Sequence, residues 1–197
     1  MLFLRRLLNR NMSIYAQLDT LERCGIVPNP GVGMAELLAH YNERQYERVP
    51  FRRLLSVLGE ESNDTLRVPL CDKIWHVRVG CVTGPGDYIA VAKRVAALAG
   101  DALPITDVRD EFDLQRGTAW LRFKLAEREF IWPARIRERW IDPGILSRFV
   151  ALLEQQDTEE RYTYLDLGGQ DVLIGCCNPS QFSALRKWTG LGFEWLG

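Results

Sequence analysis

The chain has 197 residues, 47% of them hydrophobic, and its 25 Lys and Arg residues against 26 Asp and Glu residues give a formal net charge of −1. This length and hydrophobic fraction predict one domain, residues 1–197, with a core of its own. The near-zero net charge excludes a global electric field that draws the protein onto nucleic acid, and no run of residues approaches the roughly 20 apolar positions of a membrane span. We therefore expect neither nucleic acid nor a membrane as a partner.

The N-terminus and the cysteines predict a cytoplasmic protein. Arg5 and Arg6 interrupt the first apolar run, so this segment lacks the core of a signal peptide, and an Arg-rich transit peptide is the alternative interpretation. Met12 can equally be the natural start, which would leave residues 1–12 as a disordered extension. The cysteines are odd in number and form no C-x-x-C pair, which favours a reducing compartment over a disulfide framework. They are Cys24, Cys71, Cys81, Cys176 and Cys177.

Residues 13–64 are predicted to be a helical part of three short helices, with a separate helical subdomain as the alternative. Ser13 is a favourable N-cap, and Gly25 and Gly59 are suited to ending helices. The three apolar stripes at helical spacing are Ile14, Leu18 and Leu21, then Met34, Leu37, Leu38 and Tyr41, then Phe51, Leu54, Leu55 and Leu58. A polar turn at 60–64 separates this part from residues 65–197, which are predicted to hold a sheet and further helices.

Strand and helix alternate at the start of residues 65–197. At 75–81 apolar residues alternate with polar ones, which is typical of a half-buried strand. Gly84-Pro85-Gly86-Asp87 ends that pattern, and a helix follows with Tyr88 on its apolar face and Gly100 at its end. The polar segment 101–116 is predicted to be a loop.

Two hairpins are predicted beyond this loop. In the first, Leu121, Phe123 and Leu125 alternate with polar residues before a return strand at 130–132; Asp142-Pro143 then opens a helix. The second pairs 161–167 with 171–177, and we expect a loop longer than two residues because a tight turn would set Asp166 opposite Asp171. A last helix starts at Asn178, and the tail 191–197 is expected to dock on the sheet. The predicted fold is α+β: N-terminal helices followed by a mainly antiparallel sheet, built from the two hairpins, with helices packed on one face.

The sequence predicts no metal site, no cofactor and no catalytic residue. His40 and His76 are the only histidines and lie in different predicted elements without a neighbour at ligand spacing. Cys176 and Cys177 precede a helix, which can lower the pKa of a thiol, but a buried cysteine at a strand end is the commoner finding. The glycine-rich turn before Asp87 lacks the Lys and Ser/Thr of a phosphate-binding loop and is interpreted as a capped turn.

Several exposed side chains are candidates for protein binding. The acidic segment carries Asp107, Asp110, Glu111 and Asp113, which would face a basic partner; the alternative is a solvated loop. Trp120 shares a predicted strand face with Arg122 and Lys124, and Trp140 lies beside a helix start; the alternative is that both are partly buried under the sheet edge. Trp75 and Trp132 are assigned to the core. Two groups of arginines are mixed with acidic residues. Arg44, Arg48, Arg52 and Arg53 are interpreted as forming ion pairs within helices. Arg135, Arg137 and Arg139 alternate along an extended stretch and are interpreted as a short basic row on one side of it.

The C-terminal part, from Trp120 to Leu191, resembles small bacterial immunity proteins, which neutralise toxins delivered between competing cells. The residues that carry the resemblance are the hairpin ending at Trp132, the helix start Asp142-Pro143-Gly144-Ile145, the return strand Gly168-Gly169-Gln170-Asp171-Val172-Leu173-Ile174 and the short terminal helix. The resemblance implies a non-catalytic, cytosolic protein that binds a cognate toxin and occludes its active site. The alternatives are a Cys-dependent hydrolase or transferase using Cys176 or Cys177, and an adaptor or regulatory domain with another partner.

Overall fold

The computed structural model of the protein describes residues 12–61, 68–78, 82–136, 140–169 and 171–197. Several predictions fall outside this range: most of the N-terminal extension, the end of the polar turn at 60–64, the second half of the strand at 75–81 with Cys81, and two members of the basic row, Arg137 and Arg139. No helix within the described residues combines the length and the apolar character that crossing a membrane requires.

The N-terminal part holds four described helices where three are predicted. They are α1 (Ile14–Glu22), α2 (Met34–His40), α3 (Glu43–Arg48) and α4 (Arg52–Leu58). The additional helix α3 starts at Asn42, whose side chain accepts a hydrogen bond from the Gln45 amide while the Gln45 side chain accepts one from the Asn42 amide, each at 3.0 Å. Its one buried residue, Tyr46, gives no apolar stripe in the sequence, so only this capping box signals the helix.

The rest of the chain confirms the α+β class. In chain order it contains β1 (Ile74–Val77), α5 (Asp87–Ala99), a short 3-10 helix (Gly100–Ala102), β2 (Ile105–Asp113), β3 (Thr118–Leu125), β4 (Arg128–Arg135), α6 (Pro143–Glu154), β5 (Arg161–Gly168), β6 (Asp171–Cys177), α7 (Pro179–Thr189) and β7 (Glu194–Trp195). Helices α5, α6 and α7 lie where they are predicted, and the tail docks on the sheet as expected, because β7 pairs with β5 and Phe193 is fully buried.

The two predicted hairpins lie in separate antiparallel sheets and not in one. One sheet has the order β1-β6-β5-β7 and the other the order β2-β3-β4. The prediction that 101–116 is a loop is wrong, since most of it forms β2 and pairs with β3 to make a three-stranded meander. The many charged residues of this segment suggest a loop in the sequence. In the structure their side chains lie at the surface of an edge strand, where water solvates them without disturbing the backbone pairing.

The four-stranded sheet is covered on both faces, in contrast to the single covered face that is predicted. Leu173 of β6 points into a core built by α1–α4 and α7, whereas its neighbour Ile174 points into a second core built by α5, α6 and the inner side of the meander. Side chains of successive strand residues point to opposite faces, so this one strand serves both cores. Both faces of β5 and β6 are therefore largely removed from water.

The β5–β6 hairpin avoids the like-charge pair by an irregularity of its ladder and not by the longer loop that is expected. Asp166 lies opposite Val172, the register then shifts, and Gly168 lies opposite Asp171. Gly168 has a φ of 81°, which glycine adopts without a steric penalty. The carboxylate of Asp166 accepts a hydrogen bond of 2.7 Å from the Gly168 amide and so stabilises the turn itself.

The meander has one buried side and one side that no described helix covers. On its inner side, Phe123 stacks on Phe130 at 5.2 Å and on Phe149 of α6 at 5.6 Å, and Trp132 meets Phe123 edge-on at 4.8 Å. Trp132 and Trp75 both pack against this core, as predicted. Four of the six candidate binding residues lie on the outer side or at its edge: Asp107, Glu111, Asp113 and Trp120.

Candidate functional site

The outer side of the meander is a solvent-facing surface, which we call the open face. In β3, Ala119, Leu121 and Phe123 are buried while the residues between them are half-buried or exposed. The pairing register carries the same alternation to the neighbouring strands. The open face therefore consists of Arg109, Glu111 and Asp113 of β2, Thr118, Trp120, Arg122 and Lys124 of β3, and Glu129, Ile131, Pro133 and Arg135 of β4, with Asp107 at its edge.

Trp120 occupies the centre of the open face. It lies opposite Glu111 of β2 and Pro133 of β4, and it shares the face with Arg122 and Lys124 as predicted. Two residues before Pro133 in β4, Ile131 lies opposite Arg122 and is 48% exposed. Together Trp120 and Ile131 give the face an apolar centre.

Three of the four predicted acidic residues lie on the open face or at its edge, each next to a basic residue. Asp107 forms an ion pair of 2.7 Å with Lys124, whose hydrogen bond and charge lower the pKa of that carboxyl. Glu111 lies 3.4 Å from Arg122. Asp113 accepts a hydrogen bond of 3.0 Å from the amide of Arg116 in the β2–β3 turn. The acidic character of β2 is thus largely neutralised by its neighbours.

Asp110 is turned away from the open face and serves the fold. Its carboxylate accepts hydrogen bonds from the amides of Gly86, Tyr88 and Ile89 at 2.9, 3.1 and 3.2 Å. Those amides belong to the first turn of α5, where backbone N–H groups have no carbonyl acceptor within the helix. A side chain of β2 therefore caps α5 from outside, and the negative charge lies at the positive end of the helix dipole. The interpretation of Asp110 as part of an exposed acidic loop is corrected accordingly.

The glycine-rich turn before α5 is a capped turn, as predicted. Asp87 accepts hydrogen bonds from the amides of Thr83 and Gly84, and these bonds outweigh the effect of its burial and lower its pKa. Asp110 occupies the place that a phosphate oxygen would take at the helix start. The described amides of this turn are therefore engaged by the protein's own carboxylates.

Trp140 does not contribute to the open face. It is half-buried between the end of β4 and the start of α6. Among the described residues, no ring contact or hydrogen bond joins it to Trp120. Arg135, the described member of the predicted basic row, is exposed at the end of β4 on the open face.

The adjacent cysteines Cys176 and Cys177 are buried at the end of β6. Burial, with the nearby Glu160 carboxylate, raises the pKa of the Cys177 thiol to about 12, and the same two causes raise that of Cys176. The Cys176 thiol lies 3.7 Å from a carboxylate oxygen of Glu160 and donates a hydrogen bond to it. The space beside the pair measures about 10 Å³, roughly the room for a single water molecule. Burial and the Glu160 carboxylate thus both disfavour the thiolate form of these two cysteines.

Sequence reasoning missed a second feature, in which both histidines meet one carboxylate. The Nδ1 atom of His76 lies 3.5 Å from Glu60 Oε1, and the Nδ1 atom of His40 lies 3.8 Å from Glu60 Oε2. On its other side, His76 Nε2 lies 3.8 Å from Asp171 Oδ2. These residues come from four separate segments, and only the antiparallel pairing of β1 with β6 brings His76 and Asp171 to the same place, so sequence spacing carries no signal of the cluster.

Three members of this cluster, Glu60, His76 and Asp171, line a cleft of about 300 Å³, which we call the histidine cleft. Glu60 pairs with Arg78 there. Burial on its own would raise the pKa of Glu60, but His76, Arg78 and His40 outweigh burial and hold it below its usual value. In the part of the chain that the structure describes, no three His, Cys, Asp or Glu side chains are grouped so as to hold a metal ion. The cleft thus presents charged and hydrogen-bonding side chains to the solvent.

No family model, curated protein or solved structure matches the chain.

Proposed function

We propose that this protein binds another protein through the open face, and that its partner is a bacterial toxin which it neutralises by occluding the toxin's active site. The observation that supports the proposal is the apolar centre of the open face, Trp120 beside the exposed Ile131, within a ring of charged side chains. Interfaces are enriched in aromatic residues and arginine at such centres and have a polar rim.

The shape of the open face suits a macromolecular partner better than a small molecule. A small ligand binds in a concave pocket that covers most of its surface, whereas a sheet face is nearly flat. Three strands of eight or nine residues present roughly 26 Å by 14 Å on one side. That area is about half of the ~800 Å² that each partner buries in a standard interface, so the open face would form the centre of the contact and the adjoining turns its rim.

The charges of the open face favour selective recognition over general attraction. Asp107 and Glu111 are paired with Lys124 and Arg122, so the face alternates in sign and is not an acidic patch. Mixed charges suppress wrong partners, because each mismatched contact places like charges together. The partner is therefore expected to carry a complementary alternation of charge rather than a uniformly basic cleft.

The experiment combines protection of cells with binding. Toxin candidates are first sought among the reading frames that neighbour this one. Each candidate is expressed with and without the protein, and its affinity for the purified protein is measured. Ile131→Lys places a charge in the apolar centre and is expected to weaken binding at least tenfold and to abolish protection. Tyr15→Lys is the matched control, since Tyr15 is 61% exposed on α1 and away from the open face.

Two outcomes would contradict the proposal. In the first, the protein neither binds any toxin candidate nor protects cells from one, which would favour an adaptor or regulatory role with another partner. In the second, binding occurs but Ile131→Lys and Tyr15→Lys weaken it equally, which would remove the open face from the interface.

A further inference from the structure

The histidine cleft shares no residue with the open face and is not used by the proposed function. It contains a polar side chain that is deeply buried and has no hydrogen-bond partner among the described residues. The His76 side chain is 6% exposed, and neither of its ring nitrogens makes a hydrogen bond with a described residue, although Glu60 and Asp171 lie 3.5 and 3.8 Å away. Buried polar atoms in folded proteins nearly always have a hydrogen-bond partner, so this imidazole is available to one that enters the cleft.

The walls of the cleft carry more cationic than anionic groups. Arg52, Arg53 and Arg78 line it together with two carboxylates, Glu60 and Asp171, which leaves an excess of one positive charge among these five groups. Arg78 is engaged by Glu60. The other two arginines are therefore the source of the excess.

Arg52 and Arg53 have guanidinium groups left for a ligand. Arg53 donates one hydrogen bond of 2.6 Å to the Gln45 carbonyl, and its guanidinium lies 4.6 Å from the centre of the Tyr41 ring, which holds it in place. The exposed Arg52 side chain makes no hydrogen bond or ion pair within the described part of the chain. A guanidinium offers a rigid fork of donors that matches the oxygens of a phosphate or carboxylate.

We propose that the histidine cleft binds a small organic oxyanion, that is, a molecule with a phosphate or carboxylate group on a carbon skeleton. Arg52 and Arg53 hold the anionic group, and His76 at the floor takes up a hydroxyl or other polar group of the same molecule. The side chains of Val49 and Leu167 line the cleft and provide an apolar wall for the carbon skeleton. A volume of about 300 Å³ lies at the lower end of the range for small-molecule sites.

4-Hydroxyphenyl phosphate and 4-hydroxybenzoate are the probes, because each carries a hydroxyl group for His76 besides its anionic group. Each is titrated at constant ionic strength into the full-length protein while amide resonances and the ring-nitrogen resonances of His76 are followed by NMR, and at least one probe is expected to shift the His76 ring resonances with a saturable curve. If only the phosphate binds, the site takes phosphate monoesters; if only the carboxylate binds, it takes carboxylates. Arg52→Ala is expected to lower the affinity for the probe about tenfold, because a charge-assisted hydrogen bond is lost.

Arg116→Ala is the matched control, since the Arg116 side chain is 82% exposed in the β2–β3 turn and its loss removes the same charge elsewhere. It is expected to leave the affinity unchanged. The proposal is overturned if neither probe shifts the His76 resonances, or if the two arginine variants weaken binding equally. Ile131→Lys is expected to bind the probe normally, so a failure of the open face and a failure of the cleft are separate results.

Discussion

At the scale of single residues, carboxylates of similar appearance in the sequence have different tasks. Asp110 and Glu111 are neighbours in one acidic segment, yet Asp110 caps α5 through three amides while Glu111 pairs with Arg122 on the surface. A strand places successive side chains on opposite sides, so the direction of each is fixed once the segment is known to be a strand. The sequence alone does not show this, since the charges suggest a loop.

Substitution of Asp110 is expected to affect folding before binding. Asp110→Ala leaves the first turn of α5 without its acceptor and should lower the free energy of unfolding by about 1–2 kcal/mol, as loss of an N-cap does. Glu111→Ala is the control and should cost less than about 1 kcal/mol, because its ion pair is exposed. Urea denaturation followed by circular dichroism measures both; equal losses would refute the capping role.

The Glu60 carboxylate is expected to make stability depend on pH. Its pKa is lower in the folded protein than its ordinary value of 4.5, so its contribution is complete above that value and is lost as the pH falls through the folded pKa. Glu60→Gln should therefore lower the free energy of unfolding by about 1–2 kcal/mol at neutral pH, and the loss should shrink as the pH approaches 3.

Glu159→Gln provides the comparison, because Glu159 is exposed and has no ion pair among the described residues. It should show a small and nearly constant effect across the same pH range, as measured by urea unfolding at each pH. A deficit of Glu60→Gln that stays constant down to pH 3 would contradict the role assigned to the ionised carboxylate.

Cys176 and Cys177 are expected to react slowly with alkylating agents. Because burial and Glu160 raise the pKa of both thiols, little thiolate is present near neutral pH. Iodoacetamide should label them in the native protein far more slowly than after addition of denaturant, with each site read by peptide mass spectrometry. Rapid labelling of either cysteine in the native protein would revive the Cys-dependent hydrolase or transferase.

At the scale of elements, local patterns predict most helices and strands but not their partners. The capped starts at Asp142 and Asn178 and the alternation in β3 are local, and each predicts its element. The position of β2 depends on pairing with β3, and that of His76 depends on pairing with β6. The open face was therefore partly predictable, through Trp120 and its strand neighbours, whereas the histidine cleft was not.

The junction of α4 and β1 depends on the absence of a side chain at Gly59. The Gly59 carbonyl accepts a hydrogen bond of 2.8 Å from the His76 amide, and a Cβ atom at this glycine would lie 2.5 Å from that nitrogen. Gly59→Ala should therefore lower the free energy of unfolding by about 1–3 kcal/mol. Gly84→Ala, where a Cβ meets open space, should change it by less than about 0.5 kcal/mol; thermal or urea unfolding that ranks the two equally would contradict the close packing.

At the scale of the whole molecule, the four-stranded sheet couples two cores. Because Leu173 and Ile174 of β6 point into different cores, neither core can lose its packing without exposing one side of the shared sheet. A two-sheet arrangement of this kind follows from pairing between distant strands, which local periodicity does not encode. A single cooperative unit predicts that both cores unfold together, whereas an independent helical subdomain predicts that α1–α4 unfold separately. Unfolding experiments therefore distinguish these two arrangements.

Unfolding is expected to be a single cooperative transition. Leu58→Ala, in the core formed with α1–α4, should cost about 2–5 kcal/mol and should lower the urea midpoint of the helices and of the meander together. Hydrogen exchange with mass spectrometry reads peptides from both parts in one sample. Earlier loss of protection confined to α1–α4 would show that these helices unfold on their own.

The edges of the meander limit how another chain is able to approach it. On the β2 side, the pairing register shifts between Thr106 and Arg109, with Asp107 at a φ of 51°, and on the β4 side Pro133 has no N–H to donate. Both features hinder the addition of a further strand. If the open face binds a toxin as proposed, the contact would be made by side chains rather than by main-chain amides. Discrimination between closely related toxins would then change with one or two substitutions at the surface, and a new specificity would evolve without a change of the scaffold.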